Sequence, residues 1–236
     1  MKIKAILFDL DGTLLPMNQD EFLKAYFGGI AEHLSHYGYN PSELISAINY
    51  GTHAMLKNDG SVTGEVAFWN AFAAEMGEHT HADEPYFEEF YIKKFPSVRT
   101  TCGYNPHSRE LLDFLHQKGV KTALATNPVF PRIATLERIR WAGLTPDDFE
   151  YITTYENIGF CKPRAEYYKA VADKIGVAPE ECLMVGNDVR DDMPAKEIGM
   201  SVFLLTDCLI NTNSEDISAY PHGDFDALFD FINKII

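Results

Sequence analysis

The sequence predicts an α/β protein: a doubly wound parallel sheet interrupted after its first strand by a block of helices. Three observations carry this. Ile3 to Phe8 is a short, nearly continuous apolar run, as expected of a strand buried on both faces of a parallel sheet. From Thr100 onward, strand-length apolar runs alternate with helical periodicities, the rhythm of successive βα units. Between them the texture is helical only. Such an interruption is most simply an inserted second domain, dividing the 236 residues into 1–16 with 100–236 and an insert over 17–99.

The insert opens with Phe22, Leu23, Tyr26, Ile30, Leu34 and Tyr37 at three- and four-residue steps. Asn40-Pro41-Ser42-Glu43 then has the form of a cap, a first-turn proline and an N3 acid, starting a helix with Leu44, Ile45 and Ile48 on one face. Val66, Trp69, Phe72, Ala73 and Met76 mark a third helix, and Phe87, Phe90, Tyr91 and Phe95 a fourth. These stripes imply that the insert has its own core. Beyond it, His107 to Lys118 is helical, with Leu111, Leu112 and Leu115 inward and Gly119 as its stop. Strands follow at Val120–Thr126, Tyr151–Thr154, Cys182–Gly186 and Ser201–Leu205. Helices follow at Pro131–Trp141, Pro163–Ile175, Met193–Gly199 and Phe225–Ile236, and Asn211 to Asp216 is a polar loop.

Composition narrows the function. Apolar residues make up 46% of the chain and charged residues 23%, with 16 Phe, 12 Tyr and 2 Trp, so a sizeable core can form and disorder is excluded. A net charge of -15 repels nucleic acid and anionic lipid, so any bound anion needs local cations or a metal. Cys102, Cys161, Cys182 and Cys208 lie 59, 21 and 26 residues apart, with no C-x-x-C pair. They read as reduced thiols, and the short N-terminal apolar run is no signal peptide; a cytoplasmic protein is expected. The His79-Thr80-His81 pair sits in a polar loop and reads as solvated.

In an open parallel sheet, ligands bind beyond the carboxyl ends of the strands. Those ends carry unusual polar residues here. The first strand delivers Asp9 and Asp11; the second ends in Ala125-Thr126-Asn127-Pro128; a later one ends in Gly186-Asn187-Asp188, with Asp191 and Asp192 just after. Lys162 stands immediately before a helix start. Two aspartates leaving an apolar strand cost desolvation unless a cation meets them, and an oxygen-rich set suits a hard ion such as Mg²⁺. Neither acidic loop is an EF-hand, because the sixth positions are Leu14 and Met193 rather than glycine.

Phe8-Asp9-Leu10-Asp11-Gly12-Thr13-Leu14, Thr126, Lys162-Pro163 and Gly186-Asn187-Asp188 with Asp192 together resemble the haloacid dehalogenase superfamily, whose four motifs appear in order along nearly the whole chain. The resemblance implies a Rossmann-like core with an inserted all-helical cap. It also implies a Mg²⁺-dependent phosphomonoester hydrolase: Asp9 as nucleophile, Asp11 as general acid and base, and Thr126, the Asn127 backbone N–H and Lys162 on the phosphate. Asp9, the Asp11 carbonyl and Asp188 would hold the metal, and Asp192 would hold Lys162 or a water at the metal. The fourth motif often reads Gly-Asp; Asn187 intervenes here, leaving Asp188, Asn187 and Asp191 as neighbours of the metal, with Asp188 favoured because an amide is the poorer ligand.

Asp11 argues against the family's dehalogenating and phosphonate-cleaving branches, which have no use for an acid at that position. A sugar-phosphate mutase shares every motif and stays open as an alternative, and a non-catalytic binding protein on the same fold is the remaining one. The implied partner is a small phosphomonoester, with the chain a monomer or homodimer. The insert holds 12 acids against Lys24, Lys57, Lys93, Lys94 and Arg99, which disfavours leaving groups with several further negative charges.

Overall fold

The computed structural model describes residues 2–236. Six strands form one parallel sheet: β1 (Ala5–Phe8), β2 (Lys121–Leu124), β3 (Tyr151–Ile152), β4 (Cys182–Gly186), β5 (Ser201–Leu205) and β6 (His222–Gly223). Their order is β3-β2-β1-β4-β5-β6, with β1 between β2 and β4. Because it is central and covered on both faces, β1 is apolar throughout, and Ala5, Ile6, Leu7 and Phe8 are fully buried. Alternate residues serve opposite layers. Ile6 and Phe8 pack with Leu124, Val185 and Phe203, whereas Ala5 and Leu7 pack with Ala123, Met184 and Leu204.

Eight α-helices surround the sheet or precede β2: α1 (Gln19–Ser35), α2 (Pro41–Lys57), α3 (Gly64–Met76), α4 (Glu84–Lys93), α5 (Pro106–Gln117), α6 (Arg132–Trp141), α7 (Ala165–Ile175) and α8 (Phe225–Ile235). The expected capping is present at α2, where the Asn40 side chain accepts from the Ser42 and Glu43 N–H groups and Pro41 starts the first turn. Helices α1 to α4 all lie between β1 and β2 in the chain. The entrance and exit of this block adjoin: the Gly103 N–H donates to the Pro16 carbonyl (2.7 Å), and Met17 bridges to Cys102.

Several elements differ from expectation. The stretch Met193–Ile198 is a 3-10 helix with Pro194 in its first turn, and Phe95 lies in a 3-10 segment, Phe95–Thr101, beyond α4. The third strand keeps only two residues, and β6 was not anticipated because two residues carry no periodicity. Val66 and Tyr37 are exposed rather than inward. His79 and His81 are exposed, as expected, although Thr80 between them is fully buried. The helical block also lacks a separate core. Phe95 stacks on Trp141 of α6 at 5.0 Å, and Tyr26 meets Phe130 edge-on at 5.2 Å, so its aromatic interior is continuous with one face of the sheet. Among the described residues no helix is long and apolar enough to cross a membrane.

Candidate active site

The loop after β1 is built around Gly12. Its φ of +85° favours glycine, and a Cβ there would also collide with the Asn187 side chain. That close approach lets the Thr13 hydroxyl reach Asn187 Oδ1 at 3.1 Å and Asp9 Oδ2 at 3.4 Å. The Asn187 amide donates to the Cys208 carbonyl at 2.7 Å. Asn187 thus ties the loops after β1, β4 and β5 together, leaving Asp188 beside it as the anionic group. At the end of β4, a Cβ on Gly186 would strike the Asp192 carboxylate. With only hydrogen there, Asp192 lies against the strand end and accepts from the Asp188 N–H at 2.9 Å.

Lys162 joins these loops. Its ammonium donates to Asp9 Oδ1 at 2.9 Å and to Asp192 Oδ1 at 2.6 Å, with all three residues buried. Burial opposes the Lys162 charge, but Asp192 and Asp9 outweigh it and hold its pKa well above the ordinary lysine value. Burial also drives the Asp192 carboxyl up to about 7, against the pull of Lys162.

Asp11 turns to a different cation. Its Oδ2 accepts from Arg138, an arginine of α6 that is only 1% exposed, while its Oδ1 is buried without a partner. The Arg138 guanidinium lies 4.4 Å from the centre of the Phe130 ring. Burial raises the Asp11 carboxyl to about 6, with Arg138 pulling it down and Asp9 pushing it up. Sequence reasoning missed Arg138. The available signal was its spacing: four residues after Ala134 and three before Trp141, it falls on the inner face of its helix where an apolar side chain belongs.

The other anticipated residues surround this pair of clusters. Thr126 is buried at the end of β2, its carbonyl accepting from the hydroxyls of Thr153 (2.7 Å) and Tyr167 (2.8 Å). Asn127 donates to Asp191 Oδ2 at 3.1 Å and keeps its own Oδ1 buried and unpartnered. Asp188 Oδ1 accepts from the Arg190 and Asp191 N–H groups at 2.8 and 3.2 Å. Burial raises the Asp188 carboxyl, and the charges of Asp191 and Asp9 raise it further.

This loop cluster gathers the carboxylates of Asp9, Asp11, Asp188, Asp191 and Asp192, with Lys162 reaching Asp9 and Asp192 and Arg138 reaching Asp11. That excess of negative charge, together with the raised Asp188, is what a hard divalent cation would relieve. Among the described residues no three Asp, Glu, His or Cys side chains form a metal-holding group by themselves. Asp9 and Asp188 are two carboxylates that could hold such an ion.

Residues 3–199 match the family model of the haloacid dehalogenase-like hydrolases. The chain is similar to the glyceraldehyde 3-phosphate phosphatase of Methanocaldococcus jannaschii, at 28% identity over 99% of this chain and 98% of that protein. It is also similar to the pyrophosphatase PpaX of Halalkalibacterium halodurans, at 25% identity over 85% of this chain and 82% of that protein. In fold it is similar to a HAD phosphatase from Thermococcus onnurineus, with a TM-score of 0.61, 21% identity and 98% coverage of both chains. The chain belongs to the haloacid dehalogenase-like hydrolases.

Proposed function

We propose that this hydrolase is a Mg²⁺-dependent phosphomonoester phosphatase acting on a small phosphorylated metabolite through an aspartyl-phosphate on Asp9. The observation that carries the reading is the buried Asp9–Lys162–Asp192 chain at the carboxyl end of the central strand. The names of the two relatives, a phosphatase and a pyrophosphatase, support the same class of reaction. Residues 1–16 and 100–236 would be the catalytic core, with 17–99 as the cap. The four cysteines are unpaired, in keeping with a reducing cytoplasm.

In this reading the Asp9 carboxylate attacks phosphorus, and the ester oxygen departs with a proton from Asp11. Asp11 Oδ1 is the atom suited to carry that proton, because Oδ2 is held by Arg138 and Oδ1 has no partner. The resulting Asp11 carboxylate then takes a proton from the water that hydrolyses the Asp9 phosphoryl group. A carboxyl raised to about 6 suits both duties near neutral pH. Lys162 has three N–H donors, of which Asp9 and Asp192 take two; the third would hold a phosphoryl oxygen, with Thr126 and the Asn127 N–H on the others. Asp9, the Asp11 carbonyl and Asp188 would hold Mg²⁺, which supplies neutralisation of the phosphate and carboxylate charges.

A panel of phosphomonoesters assayed for phosphate release with Mg²⁺ and with EDTA tests the proposal. Release that requires Mg²⁺ is expected, with Ca²⁺ a poor substitute because its looser coordination positions the attack badly. Full turnover after exhaustive chelation would overturn the metal assignment, and no turnover of any ester would overturn the phosphatase.

A further inference from the structure

A cavity of about 610 Å³ opens between the helical block and the segments that follow β2 and β3. That volume accommodates a ligand considerably larger than phosphate. Its wall is aromatic, with Tyr26, Phe68, Trp69, Phe87, Phe130 and Tyr155 all facing it. Its charged lining is lopsided: Glu65, Glu84, Glu88 and Glu156 against one basic residue, Arg132. Burial raises the Glu65 carboxyl above its ordinary value, and the charges of Glu156 and Glu84 raise it further, so these carboxylates feel one another.

One unpartnered acceptor among the cavity-lining residues points to a missing donor. Glu156 Oε1 accepts from the Arg132 N–H at 2.7 Å, but Glu156 Oε2 is buried with no donor. Aromatic faces beside unpaired carboxylates complement an organic cation and oppose an anion. The cavity adjoins the reacting centre: Phe130 lines it, and the Phe130 ring lies against Arg138, which holds Asp11, so the cavity is one side chain away from that arginine. Asp9, Asp11 and Lys162 do not line it, so a group bound there lies apart from the residues that meet phosphorus.

We propose that this cavity receives the leaving group of the substrate and selects one that carries an ammonium on an apolar frame, the substrate being the phosphomonoester of an amino alcohol. This rests on the phosphatase reading above. A leaving group carrying a second phosphate or a carboxylate would meet four glutamates there, whereas an ammonium would sit over aromatic faces with those glutamates as counter-charges.

The test compares phenylalaninol phosphate with 3-phenylpropyl phosphate, which has the same ring and chain without the amine. The amine ester is expected to have a kcat/KM at least about 10-fold higher, the scale of a partly desolvated cation on aromatic rings. Glu65→Gln is expected to shrink that ratio. Equal or better turnover of the uncharged ester overturns the proposal. Calorimetric titration with phenylalaninol and 3-phenylpropanol gives a readout that needs no turnover: tighter binding of the amine supports the cavity assignment, and equal binding or none overturns it. p-Nitrophenyl phosphate reports on the phosphatase separately. Its hydrolysis without amine preference defeats the cavity inference alone, while amine-selective binding without hydrolysis of any ester defeats the phosphatase alone.

Discussion

Near the amino end of β2, the Asp148 carboxylate has both oxygens occupied. Arg109 donates to Oδ2 at 2.8 Å and to Oδ1 at 2.7 Å, and the Thr145 N–H adds a third bond to Oδ2 at 2.7 Å. At the carboxyl ends of β1 and β2, in contrast, Asp11 Oδ1 and Asn127 Oδ1 are buried with no partner. The two carboxyl groups respond in opposite directions. Burial alone would lift Asp148, yet Arg109 and Thr145 hold it below its ordinary range; at Asp11 burial prevails over Arg138, and the carboxyl rises to about 6. A network that serves the fold saturates its acceptors, because each one left open costs about 1–3 kcal/mol. Open acceptors cluster where a ligand, a metal or a proton is to be received.

The largest test of that contrast is Asp9→Asn. An amide is neither a useful nucleophile nor an anionic partner for Lys162, so turnover should fall to the assay floor while the protein stays folded; measurable kcat in the purified variant would defeat the Asp9 assignment. Asp11→Asn should act differently. It preserves shape but removes the proton carrier, a loss of about 10²–10⁴-fold in kcat. With an activated ester, whose leaving group needs no proton, the first step should survive better than the second. Phosphoryl-enzyme should then accumulate and map by peptide analysis to Asp9; label on Asp188 would refute the mechanism.

Arg109→Ala probes the network in which both Asp148 oxygens are occupied. Losing charge-assisted bonds to a buried carboxylate should lower stability by about 1.5–3 kcal/mol in denaturant titration, with kcat unchanged. The sign with pH follows from the lowered Asp148: its contribution is present above the ordinary carboxylate pKa and disappears as pH falls through the folded value, so wild type and variant should converge in acid. An Arg109→Ala effect on kcat as large as that of Asp11→Asn would erase the distinction between the clusters. The smallest effect is the pH dependence of the second step. With Asp11 near 6, its base form grows from about half to about nine-tenths between pH 6 and 7, so kcat limited by dephosphorylation should rise about twofold and then level off. A flat profile would exclude a base that titrates near 6.

Much of this was legible along the chain because it is local. Continuous apolarity marks β1, the Asn40-Pro41-Ser42-Glu43 run marks the start of α2, and Asp9, Lys162 and Asp188 stand where strand ends meet loops. The Met193–Ile198 segment escaped because a helical apolar spacing over six residues does not distinguish a 3-10 turn from an α-helix. Apart from Tyr37 and Val66, the insert's apolar stripes marked inward faces, but a stripe carries no record of what it faces. Phe95 and Tyr26 turned out to meet Trp141 and Phe130 of the sheet-bearing part.

The amino-acid order alone therefore determined strands β1 to β5, the helical interruption and the positions of the strand-end carboxylates, since periodicity and strand-end chemistry act over a few residues. Tertiary structure alone decided the pairings: Arg138 with Asp11, the contact that requires glycine at position 186 beside Asp192, and the gathering of Glu65, Glu84 and Glu156 from α3, α4 and the loop after β3. Each depends on desolvation and charge between segments distant in sequence, and those forces exist only after the chain has closed around them.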